Sequence, residues 1–338
     1  NKASEAAATT TEAATTAAES KADGTTAAEA KETGDLKTVS IQIDGSAVPY
    51  YAPLYLAQEN GYFAEEGLNV EFYYAAAADI VKNVAAGNVE FGFPNADAVV
   101  AAKAQGIPVK VAHTTYQEGL GAIIFGSDSG ISTPADLKGK KVAVTSLGSA
   151  NYFQLQAAME SAGLTIDDVQ VEIVGTGAIL TALTEAQVDA IVFSKLRTIE
   201  LNNSGYAASE ITCDQFLPSF GNVLVAGDKL VAEDPETVDG FCRALNKAIE
   251  YIIDGHVEEA VDMSIEKYAP TFAEKRDVVV QILNDVFVKT LWQSDYTKEN
   301  GIGASNPEKW QALIDESKEI GNIDETFDAS ELLYTPAK

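Results

Sequence analysis

The stretch TVSIQIDGSAVPYYAPLYLAQENGYF, residues 38–63, decides the fold class. Apolar and polar side chains alternate over its first seven residues, which predicts a half-buried strand. A helix follows, with Pro53 in its first turn and Gly61 at its end. Tyr50 and Tyr51 lie between these elements, where small polar residues would suffice for a turn. The stretch therefore predicts a strand–helix unit with two tyrosines at the carboxyl end of the strand.

Strand and helix patterns alternate beyond this unit. Strands are predicted at NVEFYYA, VEFGFP and PVKVAHTTY, and then at residues 140–146, 169–175 and 188–194. A Gly- and Ser-rich passage, QEGLGAIIFGSDSGI, and the non-helical SEITCDQFLPSFGNVLVAG mark two crossings between lobes. We therefore predict an α/β chain with a mostly parallel sheet in each lobe. Lobe 1 comprises residues 38–118 and 225–338, lobe 2 comprises residues 119–224, and the crossings form a hinge beside a central cleft.

The amino-terminal residues have a different composition. Residues 1–34 contain no branched aliphatic and no aromatic side chain, so burial cannot offset the entropy of ordering them. We expect a flexible tether over residues 1–37, which suits a protein held to a membrane by its start.

The net charge of the chain, -28, would repel phosphate backbones, so nucleic-acid binding is not expected.

Cysteines and histidines give no sign of a metal site. The two cysteines, Cys213 and Cys242, have no metal-type spacing, and the two histidines, His113 and His256, are far apart. Cys242 lies on the apolar face of a helix, which favours a buried thiol, and a Cys213–Cys242 disulfide is the alternative. We expect no metal and no cofactor.

Ligands of open parallel sheets bind beyond the carboxyl ends of the strands. Five loops meet that condition, at residues 44–51, 94–96, 113–117, 145–149 and 193–197. Tyrosines offer flat faces and hydroxyls, and a Ser- and Gly-rich loop before a helix exposes free N–H groups. The candidate ligand-binding residues are Tyr50, Tyr51, Asn95, Thr115, Tyr116, Ser146, Gly148, Ser149, Phe193 and Ser194.

Several candidates also have a purely structural interpretation. One tyrosine could pack under its own helix, Asn95 could serve as a helix cap, and Tyr116 could pack at the hinge. Lys195 and Arg197 either face solvent or supply positive charge to an anionic ligand. Catalytic motifs are missing: there is no G-x-S-x-G, and GTGAILTA does not complete a dinucleotide fingerprint. We therefore predict a binding protein without catalytic residues.

Several motifs in order resemble the solute-binding subunits of ABC importers. They are APLYLAQENGYFAEEGLNVEF, AAGNVEFGF, AAKAQGIPVKVAH, GISTPADLKGKKVAV and EAQVDAIV. More narrowly they are similar to the branch whose members bind thiamine pyrimidine precursors, riboflavin, aliphatic sulfonates or nitrate. The resemblance covers about residues 38–260. It implies a type II periplasmic-binding-protein fold that closes around one small molecule and delivers it to a membrane permease.

The same resemblance implies an extracytoplasmic, lipid-anchored and monomeric protein. Family members hold ligand with the loops that correspond to residues 46–51, 94–96 and 146–149. Tyr50, Tyr51 and Tyr116 favour a heteroaromatic ligand of the pyrimidine or flavin type. The loop at residues 194–197 lacks the aromatic and acidic residues of such binders, which leaves a sulfonate, nitrate or related anion as the alternative. A pyrimidine-synthesising enzyme on the same fold is a further alternative.

Overall fold

Two five-stranded sheets organise the computed structural model, which describes residues 36–147 and 149–338. Sheet 1 has the strand order β2-β1-β3-β10-β4, and sheet 2 has the order β7-β6-β8-β5-β9. The strands are β1 (Lys37–Asp44), β2 (Leu68–Ala75), β3 (Phe91–Phe93), β4 (Val109–His113), β5 (Gly121–Gly126), β6 (Lys141–Val144), β7 (Gln170–Ile173), β8 (Ala190–Ser194), β9 (Ala208–Thr212) and β10 (Leu224–Gly227).

Both sheets contain one strand that runs against its neighbours. In sheet 1, β1 is parallel to β2 and β3, whereas β10 is antiparallel to β3 and β4. In sheet 2, β6 is parallel to β7 and β8, whereas β5 is antiparallel to β8 and β9. The antiparallel strands β5 and β10 lie within the two passages that were predicted as crossings, so these passages contain sheet strands as well as the connections between the sheets. The carboxyl ends of β1 and β3 share one edge of sheet 1, and those of β6 and β8 share one edge of sheet 2.

Helices connect and cover the sheets. They are α1 (Ala52–Glu59), α2 (Tyr62–Glu65), α3 (Ala77–Ala86), α4 (Ala96–Ala104), α5 (Ala150–Ser161), α6 (Ile179–Thr184), α7 (Leu196–Asn203), α8 (Asp228–Glu233), α9 (Pro235–Ile253), α10 (Val257–Lys267), α11 (Arg276–Ile282), α12 (Asp295–Asn300) and α13 (Pro307–Glu319). The long α9 begins as predicted, since the Asp234 side chain accepts a hydrogen bond from the Thr237 N–H and Pro235 opens the helix. None of the helices in the described residues is long and apolar enough to cross a membrane.

A nine-residue π-helix, Leu283–Leu291, follows α11 directly. It carries Phe287, which is buried together with Trp292 in the main apolar cluster of sheet 1. The Phe287 ring lies 5.3 Å from the Trp292 ring and also contacts Tyr50 of the first predicted loop and Tyr116 of the third. Helical segments of this type are rare, occur mostly as single turns within α-helices and are frequently found at functional sites. Here the π-helix supplies an aromatic support for the predicted site.

Both cysteines are free and buried. Cys213 packs in a cluster under sheet 2, whereas Cys242 packs in the α9 cluster under sheet 1, so the disulfide alternative is wrong. Burial raises the pKa of the Cys213 thiol to about 12, which keeps it protonated near neutral pH. Most of the predicted tether, residues 1–35, lies outside the described residues, and β1 begins at Lys37.

Candidate functional site

The first predicted loop forms a short 3₁₀ turn, Pro49–Tyr51, between β1 and α1. Both tyrosines are half-buried. The Tyr51 hydroxyl donates a hydrogen bond of 2.6 Å to the Asp44 backbone oxygen, and its ring packs edge-on against Phe93. Tyr50 stacks on Phe287 with ring centroids 5.5 Å apart and an interplanar angle of 12°. The tyrosines are therefore held by neighbouring rings while part of each remains accessible.

Asn95 links the second loop to the first. Its Oδ1 accepts a hydrogen bond from the Ala98 N–H at 2.9 Å, so it is the N-cap of α4, as predicted. Its Nδ2 lies 3.5 Å from the Asp44 Oδ2 and donates to it. Desolvation raises the pKa of the Asp44 carboxyl, and the hydrogen bond from Asn95 opposes that rise. The first two loops thus meet at one polar contact.

The third loop is buried. Tyr116 is 3% exposed, and its hydroxyl donates to the Tyr50 backbone oxygen at 3.3 Å. Thr115 lies 2.7 Å, Oγ1 to Nδ1, from His113, whose Nε2 lies 2.7 Å from the Asn246 Oδ1. Burial lowers the pKa of His113 to about 4, so the ring is neutral, Nε2–H donates to Asn246, and Nδ1 accepts from Thr115. Tyr116 thus supports Tyr50, whereas the Thr115 hydroxyl is engaged with His113.

The fourth and fifth loops lie at the carboxyl edge of sheet 2. Ser149 caps α5, because its Oγ accepts from the Tyr152 N–H at 3.2 Å and donates to the Ser146 backbone oxygen at 2.8 Å. Ser146 is exposed, and Gly148 lies outside the described residues. In the fifth loop, the half-buried Ser194 accepts from the Leu196 N–H at 3.4 Å through its Oγ. The serines therefore shape the starts of α5 and α7.

The cations of the fifth loop are already paired. Lys195 is 6% exposed and forms an ion pair with Glu118, so of the two alternatives the solvent-facing one is wrong for this residue. Arg197 binds both carboxylate oxygens of Glu200, at 2.8 and 2.6 Å, and its guanidinium carbon lies 5.8 Å from the centre of the half-buried Phe193 ring. Both charges are neutralised by side chains of the chain itself.

A cavity of about 230 Å³ lies between the starts of α4 and α5. Of the described candidate residues, only Asn95 lines it. The other lining residues are Asp97, Ala98, Ala101, Ala150, Phe153, Gln154, Leu217, Ser219, Ile320 and Asn322. Helix α4 follows β3 of sheet 1, and helix α5 follows β6 of sheet 2. Residues 217–219 belong to a crossing between the sheets. The cavity therefore lies in the cleft. Cavities of about 690 and 610 Å³ beside the carboxyl-terminal residues include none of the described candidates.

Three residues of this cleft cavity were missed by the sequence analysis. Asp97 stands in the first turn of α4 and was not among the candidate residues, and burial raises the pKa of its carboxyl to about 6. Gln154 is 6% exposed, and its Oε1 has no hydrogen-bond partner. The signal for Gln154 was present, since it lies four residues before Ala158 on the apolar face of α5. Phe153 adds an aromatic ring beside it.

Comparisons with known proteins agree with this architecture. A family model described as NMT1/THI5 like matches residues 48–260. The riboflavin-binding protein RibY of Chloroflexus aurantiacus is 26% identical over 77% of this chain and 74% of its own length. The formylaminopyrimidine-binding protein of Halalkalibacterium halodurans is 25% identical over 82% of this chain and 84% of its own length.

Fungal enzymes and bacterial binding proteins also match. The 4-amino-5-hydroxymethyl-2-methylpyrimidine phosphate synthase of Aspergillus parasiticus is 31% identical over 64% of this chain and 68% of its own length. The solved structure of the periplasmic aliphatic sulphonate binding protein SsuA from Escherichia coli has a TM-score of 0.70 at 16% identity, covering 89% of this chain and 93% of that one. The fold is therefore that of a type II periplasmic binding protein, with two lobes, a hinge and a cleft.

Proposed function

The chain belongs to the NMT1/THI5-like family, and from that premise we propose that it is the extracytoplasmic solute-binding subunit of an ABC importer. Its ligand is a small heteroaromatic nutrient of the thiamine pyrimidine precursor or flavin type. The names of two relatives, a riboflavin-binding and a formylaminopyrimidine-binding protein, support this ligand class. Binding is non-enzymatic, and the ligand is captured by closure of the two lobes.

One observation carries the proposal. Tyr51, Asp44 and Asn95 form a continuous polar contact along the edge of sheet 1, and Asn95 also lines the cavity that reaches α5. A flat ring with polar substituents needs this combination of aromatic faces and hydrogen-bonding groups. Tyr50, Tyr51 and Phe193 supply accessible aromatic surface, whereas Tyr116 positions Tyr50. In this proposal Ser146, Gly148, Ser149 and Ser194 complete the polar rim, whereas Thr115 is buried against His113 and acts only through the packing of the third loop.

The domain boundaries remain part of the proposal. Lobe 1 comprises residues 38–118 and 225–338, and lobe 2 comprises residues 119–224. The strand composition of the two sheets supports this division, because β1–β4 and β10 form sheet 1 and β5–β9 form sheet 2. Rotation about the two crossings then opens and closes the cleft on its ligand.

An anionic ligand is the second candidate. The N-terminus of α5, capped by Ser149, favours a negative group. However, Lys195 and Arg197 are neutralised by Glu118 and Glu200, and Asp97 adds a carboxyl to the same cleft. A sulfonate or nitrate would therefore have to bind without an unpaired side-chain cation from this loop. The heteroaromatic ligand is the better supported of the two.

A pyrimidine-synthesising activity is the third candidate, because fungal relatives are named as synthases. The groups available for such chemistry are withdrawn from the cleft cavity. His113 is buried against Thr115 and Asn246, and the thiols of Cys213 and Cys242 are buried in separate clusters. We therefore propose a binding role. A pyrimidine product formed by the purified protein would contradict it.

The proposed partners follow from the role. They are the small-molecule ligand and the permease subunits of the importer. We further propose that the protein is a monomer held at the outer face of the cell membrane by an N-terminal lipid anchor. Release of the protein from membranes by a lipase or by deletion of the anchor, with ligand binding retained, would support that arrangement.

Native mass spectrometry of gently purified protein tests the proposal directly, because a co-purified ligand reports its own mass. A thermal-shift panel of pyrimidines, flavins, sulfonates and nitrate is the complementary test. A ligand at 100 times its Kd adds about 2.7 kcal/mol to the free energy of unfolding, which raises the Tm by several degrees. A panel in which no pyrimidine or flavin raises the Tm would contradict the proposal.

Matched variants connect binding to the site. Tyr50→Leu and Tyr51→Leu keep apolar bulk but remove the aromatic face and the hydroxyl, and we expect each to weaken binding about tenfold or more. Asn95 and Asn306 are both N-caps, of α4 and α13. Each Asn→Ala change should lower the free energy of unfolding by about 1 kcal/mol. Only Asn95→Ala should also weaken ligand binding.

A further inference from the structure

The first crossing changes its bonding partners at Glu118. Before this residue, the N–H of the buried Gln117 donates to the backbone oxygen of Leu291, which packs in the apolar cluster of sheet 1, at 2.6 Å. The Glu118 carboxylate itself pairs with Lys195, which directly follows β8 of sheet 2. The Lys195 N–H also donates to the Leu120 backbone oxygen at 2.7 Å. The chain therefore passes from the sheet 1 side to the sheet 2 side at Glu118.

The second crossing changes its partners between Ser219 and Phe220. The Ser219 N–H donates to the Oδ1 of Asp214 at 2.9 Å, and Asp214 stands in the short turn directly after β9 of sheet 2. The Phe220 ring instead stacks on Trp310 of α13, with ring centroids 4.8 Å apart, inside a cluster that packs on sheet 1. The return to the sheet 1 side is thus complete before β10 begins.

The Asp214 carboxylate joins both of these points to α13. Its Oδ1 accepts from the Gly119 N–H and from the Ser219 N–H, each at 2.9 Å. Its Oδ2 accepts from the Lys309 Nζ at 3.2 Å, and the same Nζ donates to the Gln117 backbone oxygen at 2.9 Å. An added Cβ at Gly119 would lie 2.5 Å from the Ser219 Oγ, so the two crossings touch here. Gly119, Asp214, Ser219 and Lys309 are called the joint below.

The ion pair of the joint is largely shielded from solvent. The side chains of Lys309 and Asp214 are 23% and 20% exposed, and salt screens such pairs less than fully exposed ones. The Lys309 Nζ also lies 4.8 Å from the centre of the Phe220 ring, which adds a cation–π contact. Burial, the Glu319 carboxylate and the Asp214 carboxylate, in that order, raise the pKa of Glu316 on the same helix. Loss of the Lys309 ammonium would leave these carboxyl groups without the cation that lies beside them.

We propose that the joint fixes the relative orientation of the two lobes, and that Asp214 and Lys309 are positioning residues for ligand binding. Neither residue lines the cleft cavity. This inference rests on the proposed capture of a ligand between two lobes. Asp214 moves with lobe 2 and Lys309 with lobe 1, so their ion pair spans both points at which the crossings change partners. Lobes without this pair sample more orientations, and only a fraction of these binds ligand.

Distances between two spin labels measure the orientation of the lobes without any ligand. Asp79→Cys and Glu172→Cys provide the label sites, because both residues are exposed. They lie in α3, which follows β2, and in β7. Both strands form the sheet edges opposite β4 and β9, from which the crossings start, so a small rotation moves the labels far. Cys213 and Cys242 are buried and do not compete for the label.

Two single variants remove the ion pair from opposite sides. Lys309→Met keeps the apolar stem without the ammonium, and Asp214→Asn keeps an oxygen acceptor without the charge. We expect each variant to broaden the distance distribution of the unliganded protein. The calorimetric probes are 4-amino-5-hydroxymethyl-2-methylpyrimidine and riboflavin. Each variant should bind the probe that the wild-type protein binds at least about fivefold more weakly, the lower end of typical coupling between separated sites.

Lys318→Met is the matched control, because Lys318 lies on the same helix but is exposed and donates to the backbone oxygen of Asp324. Its distance distribution and its affinity should equal those of the wild-type protein. The double variant Lys309→Met with Asp214→Asn should broaden the distribution no more than the stronger single variant does, because both residues act through one contact. This comparison separates the joint from a general loss of stability.

Each other outcome has a defined meaning. An unchanged distribution in both single variants, measured well below their Tm, overturns the joint, and so does broadening that adds up in the double variant. Broader distributions with wild-type affinity overturn the positioning role and leave the proposed function intact. If the wild-type protein binds neither probe, the proposed ligand class is contradicted, whereas the label distances still support or overturn the joint.

Discussion

Replacing Asp97 by Asn should stabilise the unliganded protein at neutral pH but not at acidic pH. Burial raises the pKa of this carboxyl from 3.8 to about 6, so the folded state holds the proton more tightly than the unfolded state. Below about pH 4 both states are protonated and Asp97 contributes nothing. Between about pH 4 and pH 6 the contribution becomes unfavourable as the pH rises, and above pH 6 it is constant.

The magnitude follows from the difference between the two pKa values. About two pH units correspond to about 3 kcal/mol of lost stability above pH 6. Asn retains the shape of the side chain but gives up the favourable interaction of a negative charge with the start of α4, worth about 0.3–1 kcal/mol. The net gain expected for Asp97→Asn is therefore about 2 kcal/mol at pH 7.5 and close to zero at pH 4.

Urea unfolding at several pH values measures this difference, and the buried Trp292 and Trp310 provide a fluorescence signal. Asp79→Asn is the control, because Asp79 is also an acidic residue in the first turn of a helix but is exposed. Its variant should show no gain at pH 7.5. If Asp97→Asn stabilises the protein equally at pH 4 and pH 7.5, or not at all, Asp97 is not desolvated as described.

Two further predictions concern stability alone. Lys195→Met leaves the Glu118 carboxylate without its cation and should lower the free energy of unfolding by about 3 kcal/mol. The double variant Lys195→Met with Glu118→Gln should recover part of this loss. Equal losses in the single and the double variant would argue against the ion pair. Gly303→Ala places a Cβ 1.9 Å from His113 Nε2 at φ +74°, whereas Gly321→Ala meets open space at φ +78°. Denaturant unfolding should show a loss of about 1–2 kcal/mol for Gly321→Ala and a clearly larger loss for Gly303→Ala, and similar losses would contradict the contact with His113.

The fold was predictable because local signals agreed with one another. Period-two alternation identified β1, and Asp234 followed by Pro235 marked the start of α9. Asn95 was predicted as a cap, and the structure places its side chain on the Ala98 N–H. Such signals depend on residues within one turn or one strand, so the sequence contains them in full.

The site was less predictable because its partners are distant in sequence. Lys195 forms its ion pair with Glu118, 77 residues earlier, and no local pattern predicts that contact. Gln154 could have been noticed as a polar residue on an apolar face, but the space beside Gly121 becomes visible only when α5 packs on sheet 2. The loops were therefore predictable from the sequence, whereas the cavity between α4 and α5 was not.

The position of β10 has a consequence for synthesis of the protein. This strand comes from residues 224–227, yet it lies between β3 and β4, which are complete by residue 113. During synthesis, the edges of β3 and β4 that later pair with β10 therefore stay unpaired while more than a hundred further residues are added. Unpaired strand edges promote aggregation. Sheet 2 is built from consecutive strands between residues 121 and 212 and can close before sheet 1. The middle of the chain is thus the first part able to fold, and the amino-terminal part is completed around it.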